Sequence, residues 1–147
     1  MRSRTAWRIT AFAVLASLAA ACATAGETPS ASYRGTITSG CAPHDAPSTV
    51  LRLESDESGA MVSFNLWPPS GTVPPTTVEF DARQPYGQGD YCRGPETCEA
   101  ATAGRVVLAG STGDGQVTGT WTIELEDGTA ESGTFTAEWL TIQAWCG

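Results

Sequence analysis

The chain has 147 residues, room for one domain, and 16 Asp and Glu residues outweigh 8 basic ones, giving a formal charge of −8. All the basic residues are arginine; three of them (Arg2, Arg4 and Arg8) precede residue 22, so the remainder sets five arginines against all 16 acidic groups, a charge of −11. Such a surface excludes nucleic acid and anionic lipid as partners recognised through charge.

Met1–Arg8 is basic, and Ile9–Ala21 is an unbroken run of apolar and small residues. The run is too short to span a bilayer securely and reads as a signal peptide over 1–21. Two cleavage patterns overlap at its end. Leu18-Ala19-Ala20-Ala21-Cys22 resembles the lipobox of bacterial lipoproteins, with the leucine one place early. That resemblance implies a lipid on Cys22 and a membrane anchor. Ala23 after the cysteine gives no reason for retention at the inner membrane, so the implied location is the outer membrane, facing the periplasm. Ala23-Thr24-Ala25 instead fits ordinary signal peptidase, which would release a secreted chain starting at Gly26. On the first reading, residues 22–32 are a lipidated cysteine and a flexible tether, and 33–147 are the folded domain.

Both patterns leave Cys41, Cys92, Cys98 and Cys146, an even set that predicts two disulfides in an oxidising compartment. The preferred pairing is Cys41–Cys146 across the closure of the domain and Cys92–Cys98 within a short loop; the count alone permits others.

From residue 33 onward there is no helical periodicity. Short β-branched and aromatic runs alternate with Gly, Pro and Asp clusters, predicting strands at Tyr33–Ser39, Val50–Leu53, Ala60–Trp67, Thr76–Ala82 and Gly104–Ala109. Pro68–Pro75 reads as a stiff connection, and Arg83–Ala103 as a loop of about twenty residues held in order by a disulfide. Val117–Trp139 is the clearest stretch. Val117, Gly119, Trp121, Ile123 and Leu125 alternate with polar residues, and Gly133, Phe135, Ala137 and Trp139 resume the same phase. With Glu126-Asp127-Gly128 as a three-residue loop and Gly128 left-handed, Leu125 faces Thr129 and Trp121 faces Gly133. Leu140–Cys146 reads as a last strand on the opposite phase, after a bulge or tight turn. About seven or eight strands without a helix predict an all-β fold, a small antiparallel meander barrel with a β-sandwich as the alternative.

The pattern Gly119-Thr120-Trp121-Thr122 with Gly133-Thr134-Phe135-Thr136 is similar in style to hairpins of lipocalin- and avidin-like barrels. Tyr33-Arg34-Gly35 stands where a lipocalin has Gly-x-Trp, so the resemblance implies a fold and carries no site.

The residues supply no catalytic, cofactor or metal motif. His44 lies beside Asp45 and near Ser48, but all three crowd one proline-flanked loop, whereas a hydrolytic triad converges from separate elements. One histidine and cysteines committed to disulfides leave too few zinc ligands. Glu131 breaks the apolar phase at the start of a strand, where solvent is close. Phe64, Trp121, Phe135 and Trp139 are expected in the core. If the two long connections meet at one end, Trp67, Tyr86, Tyr91 and Arg93 would line its rim as a binding surface. Three roles follow. The first is a carrier of a small apolar or aromatic ligand in the barrel mouth, which requires a cavity. The alternative is an envelope module, inhibitor or assembly factor, that binds another protein through residues 86–98 and requires a solid barrel. An envelope hydrolase is the weakest.

Overall fold

A computed structural model describes residues 30–146; the signal-peptide, lipobox and cleavage readings, Cys22 included, lie outside the described residues. The described chain is all-β: β1 (Ala31–Cys41), β2 (Pro47–Ser55), β3 (Met61–Leu66), β4 (Thr76–Phe80), β5 (Gly87–Gly94), β6 (Thr97–Ser111), β7 (Gln116–Leu125) and β8 (Ala130–Trp139). Seven strands close a barrel in the order β1-β2-β3-β5-β6-β7-β8, and β4 is an extra strand hydrogen-bonded to β6. Neighbours are antiparallel except the closing pair β1–β8, which is parallel, with Ile37 opposite Trp139. An odd number of strands alternating in direction leaves the first and last running the same way. The barrel reading therefore holds, with one parallel seam.

The β7–β8 hairpin forms as its pattern predicts. Leu125 N–H donates to Thr129 O at 2.8 Å, Gly128 N–H donates to Leu125 O at 2.9 Å, and Gly128 has φ +82°. Only a residue without a Cβ adopts that conformation without strain. Trp121 pairs with Gly133 and Gly119 with Phe135.

Two expectations are corrected. Arg83–Ala103 is not a long loop: it contains β5 and the start of β6, a hairpin in which Cys92 and Cys98 are direct cross-strand partners joined by a disulfide. Its pattern was silent because the inward positions Gly87 and Gly89 carry no side chain, and the start of β6, residues 97–103, holds no large apolar residue. Leu140–Cys146 is not a strand. Leu140 N–H still donates to Ile37 O at 2.9 Å, but Ile142 N–H turns back to Leu140 O, and the tail ends in the Cys41–Cys146 disulfide.

The barrel interior is packed with large apolar side chains. Trp121 is its hub, with ring centroids 5.0 Å from Tyr33, 6.0 Å from Phe64 and 6.2 Å from Tyr91. Its Nε1 has no hydrogen-bond acceptor and lies against the edge-on Tyr33 ring. Aliphatic side chains of Ile37, Leu51, Leu66, Val106 and Leu108 fill the remainder. Phe80, at the end of β4, covers Gly87, Gly89 and Gly104, where β5 and β6 part company above their short pairing.

Candidate binding surface

The sheet register sorts the connections onto two ends. At the lower end lie the start of β1 and the β2–β3, β5–β6 and β7–β8 turns; at the upper end lie the β1–β2, β3–β4 and β6–β7 connections and the C-terminal tail. The eleven residues of β1, tilted as barrel strands are, hold these ends roughly 25 Å apart along the axis.

The four residues expected on one rim are divided between the ends. Trp67 and Tyr86 do meet: Trp67 N–H donates to Tyr86 O at 2.8 Å, just beyond the last β3–β5 pair, Leu66 opposite Gly87. Tyr91 and Arg93 belong to the lower end. Tyr91 is buried on the inward phase of β5 and packs on Trp121, so it is a core residue and no part of a rim. Arg93 lies over the Tyr91 ring at 5.6 Å and bridges Glu99 at 2.9 Å and Glu131 at 3.5 Å. Glu131 is thus half-buried beside Arg93 at the mouth of the strand. Burial, the Tyr91 hydroxyl and the Glu131 charge together push the Tyr33 hydroxyl well above its ordinary pKa.

At the upper end His44 joins the pair, its ring edge-on to Trp67 with centroids 6.2 Å apart. Pro43, Pro47, Pro68 and Pro85 complete an open cleft of about 660 Å³ between the β1–β2 and β3–β4 connections. The walls are stiff. Thr72, buried in the β3–β4 connection, shares a hydrogen bond with Thr49 of β2, and Asn65 Nδ2 donates to Cys41 O at 3.0 Å. Ala42 N–H donates to Ala46 O at 2.8 Å across the β1–β2 loop, where Asp45 holds φ +59°. Ser48 Oγ is buried with no hydrogen-bond partner, so no Ser-His-Asp relay forms around His44. Among the described residues, no three His, Cys, Asp or Glu side chains converge as metal ligands.

Apolar exposure gathers at the upper end. Of the five large exposed hydrophobics among the described residues, Val73, Tyr86, Ile142 and Trp145 are at the upper end, Trp145 with 87% of its surface free; Met61 is the exception. The loops 42–46 and 67–75 and the tail 140–146 contain one carboxylate, Asp45, and the β6–β7 turn at the same end adds Asp114. The lower turns carry Asp56, Glu57, Glu96, Glu126 and Asp127. Sequence reasoning missed the contribution of the tail, whose alternation of apolar residues mimics a strand.

Together these features define the class: a disulfide-stapled β-barrel with a filled interior and one apolar, proline- and aromatic-rich end. No protein-family model matches the chain, no curated protein matches its sequence, and no solved structure matches its fold.

Proposed function

We propose that this chain is an exported, lipid-anchored, non-catalytic β-barrel that binds another envelope protein through its upper end. The observation that carries the reading is the filled interior combined with the gathering of exposed aromatic and aliphatic residues at that end. A carrier that encloses its ligand needs a cavity, and Trp121, Tyr33 and Phe135 occupy the space the inward glycines leave. Stiff aromatic residues on a rigid scaffold are what protein interfaces use as anchors. The two disulfides support an oxidising compartment and hence export. An outer-membrane anchor on Cys22 completes the reading. Its tether would join the barrel at Ala31, at the lower end, so the apolar end would face away from the membrane. The protein-binding role assigned to residues 86–98 is thereby narrowed to Tyr86 and its neighbours.

The test is a photo-crosslinking amino acid placed at position 86 or position 93 in the native envelope. Capture of a protein from 86 and none from 93 is the expected outcome; capture from 93 alone defeats the reading. The intact mass of the purified protein tests the anchor: a triacylated Cys22 is expected, and a chain beginning at Gly26 rules it out. The cleft also favours a second reading, a small aromatic ligand held between Trp67 and Tyr86, which a native mass exceeding the denatured mass would support.

A further inference from the structure

Resting on the upper end as the binding surface, we propose that the cleft takes an extended, proline-rich segment of the partner that carries a basic residue beside its prolines. Three properties of the cleft point to that chemistry.

The first is shape. The walls are separate flat rings, those of Trp67, Tyr86 and His44, set among pyrrolidine rings and open to solvent. An amphipathic helix needs a continuous aliphatic trough for its stripe of side chains, whereas the residues lining this cleft are rings and one alanine. A polyproline II segment is already extended in solution and offers a flat ring to an aromatic partner at regular intervals. Both surfaces are stiff, so little conformational freedom remains to be lost on docking.

The second is hydrogen bonding. A proline-rich segment has carbonyl acceptors and few N–H donors. Trp67 Nε1 can only donate, and the Tyr86 hydroxyl can do so. Among the described residues neither has a hydrogen-bond partner in the protein. Donor-bearing rings facing an acceptor-rich chain make a complementary pair.

The third is charge. Asp45 is exposed between the cleft residues His44 and Ala46 and forms no ion pair among the described residues. It is the one carboxylate of the 42–46 and 67–75 loops, on a chain with a formal charge of −8; the connection that supplies Pro85 and Tyr86 carries Asp81 and Arg83, which offset each other. A basic residue flanking the prolines matches both the local and the overall field. A second copy of this chain brings the same carboxylate and the same excess negative charge, so it matches neither.

The probe is a fluorescein-labelled peptide of Pro-Pro-Arg repeats, with a Gly-Ser-Arg peptide of equal length and charge as the control. The Pro-Pro-Arg peptide should bind about 10-fold or more tighter than the control, because both have the same electrostatic term and one has preformed rings. Trp67→Ala should weaken it by about 30-fold, as loss of an aromatic anchor does. Tyr86→Phe keeps the ring, removes the donor, and should weaken binding severalfold. Asp45→Asn should flatten the salt dependence, and Arg93→Ala, at the other end, should change nothing. Equal binding of the two peptides, or binding that survives both Trp67→Ala and Tyr86→Phe, overturns the proposal. Near-ultraviolet circular dichroism of each variant separates lost binding from lost folding. The crosslink from position 86 keeps the two levels distinct. Capture of a partner through a segment without prolines overturns this inference and leaves the binding surface in place. The absence of any crosslink at 86 defeats the surface itself.

Discussion

Trp121 and Gly133 are direct partners across the β7–β8 pair, and the indole Nε1 lies 2.8 Å from where a Cβ on residue 133 would sit. The Tyr33 ring crowds the same point at 2.7 Å. Gly133→Ala forces two aromatic rings apart inside a closed barrel, where neither has room to move. The variant should lose about 1–3 kcal/mol, the usual cost of overpacking, read as a lower urea midpoint with an unchanged slope. A neutral result would mean that the hub is looser than its geometry indicates.

Phe80 is the plug of the barrel wall. β4 contributes this ring to the gap over Gly87, Gly89 and Gly104, where no local side chain can replace it. Phe80→Ala should therefore destabilise the protein by about 3–5 kcal/mol, the range for a fully buried phenylalanine. Hydrogen exchange should show β4 and the first residues of β5 losing protection before β1 and β8 do.

The two disulfides should differ in weight. Cys41–Cys146 closes a separation of 105 residues and Cys92–Cys98 one of 6. By the chain-entropy relation, removing the first costs about 4–5 kcal/mol and removing the second about 2 kcal/mol. Paired Cys→Ser variants compared by urea unfolding would check the order. Loss of the long bridge should also free the tail that carries Trp145, whereas loss of the short one should leave the upper end intact.

Stability should fall at both extremes of pH, for different groups. Asp81 accepts from the backbone N–H groups of Gln84 and Arg83, Asp127 accepts from Thr129, and Asp114 from the Thr112 hydroxyl, which holds all three carboxyls below their ordinary 3.8. A pKa lowered on folding contributes stability that is present above 3.8 and lost as pH falls through the folded value. The urea midpoint should thus hold steady down to about pH 5 and drop below about pH 4, less steeply in Asp81→Asn. Tyr33 has the opposite sign. Burial, Tyr91 and Glu131 raise its pKa above the ordinary 10.0, so its contribution is complete below pH 10 and is lost as the pH climbs past it. Tyr33→Phe should flatten the alkaline limb and leave the acid limb unchanged.

Side-chain pattern made the fold legible wherever strands bury large residues. The alternation through Trp121 and Phe135 predicted the hairpin, its loop and its register; cysteine parity predicted two bridges, and the expected barrel closure favoured the pairing found among those the count left open. The pattern failed at β5, because a barrel wall can be lined by glycine when a ring from another strand, here Phe80, supplies the volume. It misled at the C-terminus, because Ile142 and Trp145 are apolar for a reason other than burial. The candidate surface was half legible. Trp67 and Tyr86 come together as the proline-rich connections suggested, while Tyr91 and Arg93, only a few residues further on, are carried to the far end by a strand the pattern did not reveal.

The parallel seam also sets the order of assembly. β1 finds one of its two neighbours in β2, close behind it, but the other is β8, the last strand of the barrel. Synthesis delivers β1 first, so the strand edge it offers to β8 stays open until β8 has emerged. Closure of this barrel must therefore wait for β8, and the high contact order of that closure places it among slow folders. During the wait, the cell must shield an exposed strand edge and the unpaired Cys41 thiol that will later meet Cys146.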